Sequence, residues 1–323
     1  VHAVLEQTGR AVIDRGGFHG VSLEDTLALA RGFADAYARE RFRDMDSQRL
    51  TYLFQRNNRE LDMIVEELWK ELNAAAFQPV GFEVAFGKGG QMPAIAIPNS
   101  AMPAVLRGFV DRVDLWEDAT GRFLRVTDYK TGQKKFDYCD ISQGIGLQML
   151  LYLFALGHGG GALFGEGLRP GGVEYFPARA PYLKADAPLD PAEAEEERVK
   201  AFSRSGLFLE DRRVLGAMEP EGLGDRLPVV EKKDGSLTGS LATSEQFRLL
   251  EGYVFHLLAD MVSEIASGSV SPNPYSRGTA HDACRFCPYA PVCHPEKEAQ
   301  RRNYRALKAQ EFWEQVEKEE THG

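Results

Sequence analysis

The stretch from Gly108 to Tyr152 constrains the fold most, because each of its ordered runs carries polar residues where a core is apolar. It reads GFVDRVDLW, a short polar turn, GRFLRVTDYKTG, a polar connector, then ISQGIGLQMLLYLFAL. Side chains alternate across a strand, so residues two apart share a side. Phe109, Asp111, Val113 and Leu115 therefore share one face of the first run, and Leu124, Val126, Asp128 and Lys130 one face of the second. The connection EDATGR holds turn-forming residues and suits a hairpin. Adjacent antiparallel strands then bring Asp111, Asp128 and Lys130 together. A buried charge is costly unless it is paired or bound to a metal. Two carboxylates and an ammonium at a strand end suit a hard divalent cation with a lysine beside it.

The third run predicts a buried helix. Ser142 suits its N-cap and Gly157 its C-terminal stop. Between them Ile145, Leu147, Met149, Leu150, Leu151, Leu153, Phe154 and Leu156 cover nearly every face. Gln148 and Tyr152 stand four apart and share one side of the helix.

In this order, Asp111, the Asp128-Tyr129-Lys130 triplet and Gln148-x-x-x-Tyr152 resemble the RecB-type branch of the PD-(D/E)xK nucleases. The D-x-K pair alone occurs by chance in many proteins; the ordered set is far more specific. The structural alternative is a salt-bridged sheet edge with a satisfied core glutamine and tyrosine. The resemblance implies a restriction-endonuclease-like α/β fold, a mixed sheet flanked by helices, with an N-terminal helical insertion and a C-terminal cysteine segment. It also implies metal-dependent DNA phosphodiester hydrolysis. His2, Asp111, Asp128 and the Tyr129 carbonyl would hold Mg²⁺ or Mn²⁺. Lys130 would orient the attacking water, and Gln148 and Tyr152 would position the strand or the lysine. His2 enters because HAVLE is similar to the family's helical histidine setting; alone it reads as a frayed terminal residue, and Glu6 as structural.

Along the chain, helices are expected over 1–15, from Leu23 to about Arg43 with Ser22 as cap, and from about Ser47 to Ala75. Strands follow over 77–86, 94–98, 105–116, 122–130 and 173–177. Glu83 alternates among apolar neighbours and reads as an edge-strand charge or an extra acidic group near the metal. Asp114, beside Arg112 and Trp116, reads as a structural ion pair. Gly157 to Gly172 is glycine-rich without phosphate-loop spacing, so it reads as a flexible connector. Asp190-Pro191 starts a helix, Asp234-Gly235 marks a hairpin, 244–268 is an amphipathic helix, and Glu296 to Glu320 a charged terminal helix. Tyr304, Leu307 and Phe312 are that helix's expected contact residues.

Cys284, Cys287 and Cys293 are spaced C-x2-C-x5-C, with Cys139 the only other cysteine. That usage fits a metal site in a reducing, cytoplasmic compartment rather than a disulfide scaffold. A zinc site would take His294 or Cys139 as fourth ligand, although His294 adjoins Cys293. The resemblance, closest to AddB-type nuclease domains, instead implies a four-iron four-sulfur cluster with one cysteine upstream of the nuclease core. The segments FLEDRRVLGAM, LPVVEKKDGS and SGSVSPNPY extend that likeness over nearly the whole chain. It further implies an AddA-like helicase–nuclease partner and cutting of the strand ending 5′ in double-strand-break processing.

The 323 residues read as a single nuclease domain: helices over 1–77, core over 78–158, an extension over 159–280, and the cysteine segment with terminal helix over 281–323. The chain opens with Val in mid-pattern and reads as part of a longer protein, with the fourth cluster cysteine expected before Val1. No run of about 18 apolar residues predicts a membrane span, and no signal peptide is visible. A net charge of −10 argues against a free-standing nonspecific nucleic-acid binder. Arg107, Arg112, Arg122, Arg125, Lys134 and Lys135 are the candidate basic groups for phosphate, or else solvated charges. Two rivals remain: a non-catalytic module that only holds DNA or a partner, and a CRISPR-associated nuclease of the same chemistry.

Overall fold

Capping chemistry fixes where the second of three N-terminal helices begins. Helix α1 is His2–Asp14, α2 Leu23–Arg41 and α3 Gln48–Ala74. The Ser22 hydroxyl accepts from the Asp25 amide at 3.1 Å and donates to its carboxylate at 2.7 Å, closing the first turn of α2. The computed structural model describes the chain apart from residues 42–47, 133, 181–189, 279–280, 294–300 and 321–323, and gives no side-chain detail over 48–55. Leu50, Leu53 and Phe54, expected on the apolar face of α3, therefore lie outside the described side chains, while Leu61, Ile64, Val65 and Leu68 are buried as their period requires.

The chain divides into two compact units. One comprises Val1–Ile95, Arg107–Phe136 and Met149–Phe247; the other Ala96–Leu106, Asp137–Gln148 and Arg248–Gly323. The first unit holds a six-stranded sheet: β1 (Gln78–Phe86), β2 (Gly108–Asp118), β3 (Gly121–Lys130), β4 (Leu168–Pro177), β5 (Ser205–Leu209) and β6 (Leu241–Ala242), side by side in that order. The β1/β2, β2/β3 and β4/β5 pairs are antiparallel, while β3/β4 and β5/β6 are parallel. The sheet is therefore mixed, with helices on its faces. Tyr129 and Phe176 join Val4, Leu5, Val12, Ile64, Val65 and Leu68 in one apolar core. This core seats α1 to α3 against the sheet.

Two local readings need correction. Ser142 does not cap the buried helix, which is α4 (Gln148–Gly159). It ends a separate short helix, Tyr138–Ile141, where its hydroxyl donates to the Cys139 carbonyl at 2.8 Å. Gly144 and Gly146 then take φ of 74° and 71°, which interrupts helical backbone and delays α4. The glycine-rich connector is mostly ordered: Gly161–Phe164 is a helical turn, and β4 starts at Leu168, paired in parallel with β3 from Arg122 onward. Strands β5 and β6 are additions to the expected set.

In the second unit the terminal helix is Ala309–Glu320, shorter than expected, because Arg302–Asn303 instead pairs as a strand with Tyr275–Ser276. Its expected start at Glu296 lies outside the described residues. Phe312, Trp313 and Val316 are buried, and Phe312 stacks 4.9 Å from Tyr138. Tyr304 donates to Asp140, and the Leu307 amide donates to the Cys139 sulfur at 2.8 Å. Cys139 is thus a buried thiol that ties the C-terminal segment down. Among the described residues no helix is long and apolar enough to cross a membrane.

Candidate active site

The β2/β3 ladder pairs residues up to Arg112 opposite Thr127. At Asp111 a side chain takes over from the backbone: the Tyr129 amide donates to Asp111 Oδ2 at 2.9 Å. That bond fixes one carboxylate beside the triplet that carries the other. His2 reaches the same oxygen from the first turn of α1, with Nε2 3.3 Å from Asp111 Oδ2. The Asp111 carboxylate beside it raises the imidazole pKa, against partial burial. Edge-on contact with the Tyr129 ring at 6.0 Å completes its setting.

Asp128 is 3% exposed. Lys130 Nζ stands 2.6 Å from Asp128 Oδ2, close enough for an ion pair but not aligned as a hydrogen bond, so that buried oxygen has no hydrogen-bond partner among the described residues. Burial pushes the Asp128 carboxyl up; Lys130 pulls it back and Asp111 opposes that. Lys130 itself lies over the Tyr175 ring at 5.7 Å.

Behind these groups sits a largely buried ionic lattice. Four carboxylates (Glu67, Glu71, Asp114 and Glu174) interleave with four guanidiniums (Arg112, Arg125, Arg204 and Arg226). Arg112 binds Asp114 through Nε at 2.7 Å and Nη2 at 2.9 Å, and reaches the Tyr129 hydroxyl at 3.2 Å. Arg125 joins Asp114, Glu71 and Glu174. Asp114 is therefore the structural ion pair expected of it. Arg112 and Arg125 are not available for phosphate, since both are buried within the lattice. Arg122 is occupied too, by Glu117 at 2.8 Å. Burial works against Glu71, but three arginines overcome it and hold its carboxyl well below the ordinary range. A buried charge persists only with such compensation, so the lattice keeps the Tyr129 ring, and with it β3, in one place.

Glu83 lies in edge strand β1 between Phe82 and Val84, which pair with Arg112 and Val110. It therefore stands opposite Asp111, with φ of 47°. Burial raises its pKa, and Asp111 and Glu6 add to that. Glu6 pairs with Arg10 at 3.0 Å, a structural role. Tyr152 packs edge-on to Phe86 at 5.5 Å. Gly108 makes this possible: a Cβ there would sit 2.8 Å from Phe86 and 2.9 Å from Tyr152. Gln148, the first residue of α4, is exposed and belongs to the second unit. Phe109, expected to face the core, is instead 61% exposed.

The cysteine segment lies in the second unit. Cys284 and Cys287 are half-buried, Cys293 is exposed, and all are free thiols. The Asp282 carboxylate accepts from the Cys284 amide at 2.8 Å and is ion-paired to Arg301. His294 lies outside the described residues. Among those described, no three His, Cys, Asp or Glu side chains are already gathered around one point. The His2–Asp111 pair and the buried Asp128 oxygen without a hydrogen bond nonetheless suit a hard divalent cation, one imidazole nitrogen and otherwise oxygen donors.

Comparison with known proteins bears on this geometry. Residues 1–294 match the family model of the PD-(D/E)XK nuclease superfamily. Proteins named as the B subunits of ATP-dependent helicase/deoxyribonucleases are similar across the chain. That of Acetivibrio thermocellus is 33% identical over 99% of this chain and 29% of its own length. That of Desulforudis audaxviator is 35% identical over 83% and 24%, and that of Clostridium novyi 32% over 99% and 29%. The chain thus spans under a third of these relatives. With a family match over most of its length, the chain belongs to the PD-(D/E)XK nuclease superfamily.

Proposed function

We propose that the chain is a divalent-metal-dependent deoxyribonuclease domain from an AddB-type protein. The observation that carries this reading is the hydrogen bond that the Tyr129 backbone amide donates to Asp111, which ties one carboxylate to the strand that bears Asp128 and Lys130. His2, Asp111, Asp128 and the Tyr129 carbonyl would hold Mg²⁺ or Mn²⁺. Bound there, the cation would supply Lewis-acid charge toward the phosphate and a more acidic water at neutral pH.

The chain's own residues do the rest. Tyr129 holds Asp111 through its amide, and its ring is anchored by Arg112. Lys130 is a cation beside a buried carboxylate, so it is placed to orient the attacking water and to offset charge that builds on the phosphate oxygens. Tyr152 packs on Phe86 at the end of β1, and with Gln148 would position the strand or the lysine.

In the longer protein, Cys284, Cys287 and Cys293 would supply three thiolates of a four-iron four-sulfur cluster, with a fourth ligand from another segment. An AddA-like helicase–nuclease would be the partner, DNA unwound at a double-strand break the substrate, the strand ending 5′ the one cut, and the cytoplasm the compartment. The test is digestion of end-labelled linear DNA by the chain with Mg²⁺, with and without EDTA. Cleavage abolished by EDTA and restored by excess Mg²⁺ is expected. Cleavage indifferent to EDTA would overturn the metal-dependent reading.

A further inference from the structure

We propose that Phe109 and Arg107 form a landing strip for single-stranded DNA that leads into the Asp111 centre, with Phe109 stacking on a base and Arg107 holding a phosphate. The inference rests on the nuclease reading and adds to it two residues that touch the strand.

Arg107, Phe109 and Asp111 are alternate residues, the last two on β2, so successive side chains stand ~6.7 Å apart along the chain. The three become less exposed toward the centre: Arg107 and Phe109 are exposed, Asp111 half-buried. An extended single strand repeats its phosphates at a comparable pitch. A duplex keeps its bases stacked inside and offers no free base face to an aromatic ring.

Phe109 has no structural employment. It is 61% exposed, and no aromatic contact holds it among the described residues. Its neighbours Val110 and Arg112 are buried, so the strand turns its apolar and ionic anchors inward and leaves this ring out. Exposed apolar residues are common when single. This one stands two residues from a candidate metal ligand and beside cations that have no partner among the described residues.

Those cations supply the charge complementarity. Arg107 makes no ion pair or hydrogen bond with any described residue, yet its stem is seated. Its Cγ and Cδ lie over Gly87, where a Cβ would come within 2.8 Å of Cγ and 3.1 Å of Cδ. Gly87 has φ of 120°, so glycine is favoured there on two counts. The packed stem leaves the guanidinium available. Lys88, next in that turn, is also exposed and without a partner among the described residues. In a chain of net charge −10, where Arg112, Arg122 and Arg125 all have carboxylate partners, available cations here mark a place for a polyanion.

The experiment measures binding of fluorescein-labelled dT12, with and without a 2-aminopurine replacing one thymine, to the whole chain in EDTA, so that no cleavage intervenes. Phe109→Ala should weaken binding roughly 5- to 150-fold, the effect of losing one base–aromatic stack. It should also abolish the 2-aminopurine quenching seen with wild type, while Phe109→Tyr keeps both and neither variant changes the melting temperature. Arg107→Ala should lower the slope of log K against log salt by about 0.7, one phosphate contact on a single strand. Phe109→Ala binding within twofold of wild type, with quenching intact, would overturn the proposal, as would a blunt duplex bound as tightly as dT12. Tight, Phe109-dependent binding without any Mg²⁺-dependent cleavage would uphold the strip and sink the nuclease reading instead.

Discussion

Replacing Arg112 with methionine removes one guanidinium from a closed set of charges while nearly keeping its volume. Arg112 is fully buried and makes five hydrogen bonds, to Asp114 twice, Thr127, Glu71 and the Tyr129 hydroxyl. In Arg112→Met four carboxylates face three guanidiniums, and the carboxylates that lose their partner, Asp114 and Glu71, are buried. Breaking a buried pair from one side costs about 3–5 kcal/mol. A domain has only about 5–15 kcal/mol in hand, and at about 2–4 °C per kcal/mol for a domain of this size the melting temperature should fall by roughly 6–20 °C. Urea denaturation followed by far-ultraviolet ellipticity gives the free energy directly. The double variant Arg112→Met/Asp114→Leu removes the pair together and restores balance, so it should be less destabilised than Arg112→Met alone, a non-additivity expected of residues in one network. If Arg112→Met were within about 1 kcal/mol of wild type, the lattice would not be what holds Tyr129, and this account of the site's rigidity would fail.

Gly108→Ala should cost about 1–3 kcal/mol by overpacking Phe86 and Tyr152, and should lower kcat/KM as Tyr152 is displaced; denaturation and steady-state kinetics on one preparation check both. Asp137 is held at about 2: burial opposes its charge, but hydrogen bonds from Arg277 and the Cys139 amide prevail. A carboxyl held below its unfolded value stabilises above that value, about 3.9. Its contribution is therefore lost as pH falls from about 4 toward about 2. Across that window the stability gap between wild type and Asp137→Asn should close, as urea midpoints at successive pH values would reveal; a constant gap would contradict the assignment. On the proposed cluster role, Cys284→Ser should lower the iron bound by the chain on anaerobic reconstitution with iron and sulfide; unchanged iron binding would count against that role.

Much of the fold is legible in the sequence because period-two runs report strands with few confounders. The hairpin joining β2 and β3 and the placement of Asp111 beside Asp128 both follow from alternation. Side-chain charge is less legible. An arginine in a strand looks the same in sequence whether it meets water or three carboxylates, and only the spatial approach of Glu71 from α3 and Glu174 from β4 shows that Arg112 and Arg125 are interior. The same gap hides Phe109, whose apolar character predicts burial although nothing covers it among the described residues. Ser142 misleads because one serine satisfies the end of a short helix as readily as the start of a long one. The glycine-rich stretch has the composition of a connector, whereas parallel pairing with β3 orders its second half. Glu83 is visible in sequence as a charge among apolar neighbours, but its place opposite Asp111 depends on the β1/β2 register.

The most direct measurement is the single-turnover rate of Mg²⁺-dependent cleavage of end-labelled linear DNA by Asp128→Ala and wild type, with ellipticity spectra showing both folded. Asp128 is a buried carboxylate with one oxygen left without a hydrogen bond among the described residues, and a lysine stands beside it. Its removal should slow cleavage at least ~10³-fold, about 4 kcal/mol of transition-state stabilisation. A folded Asp128→Ala protein that cuts at the wild-type rate would place the chemistry elsewhere on the chain.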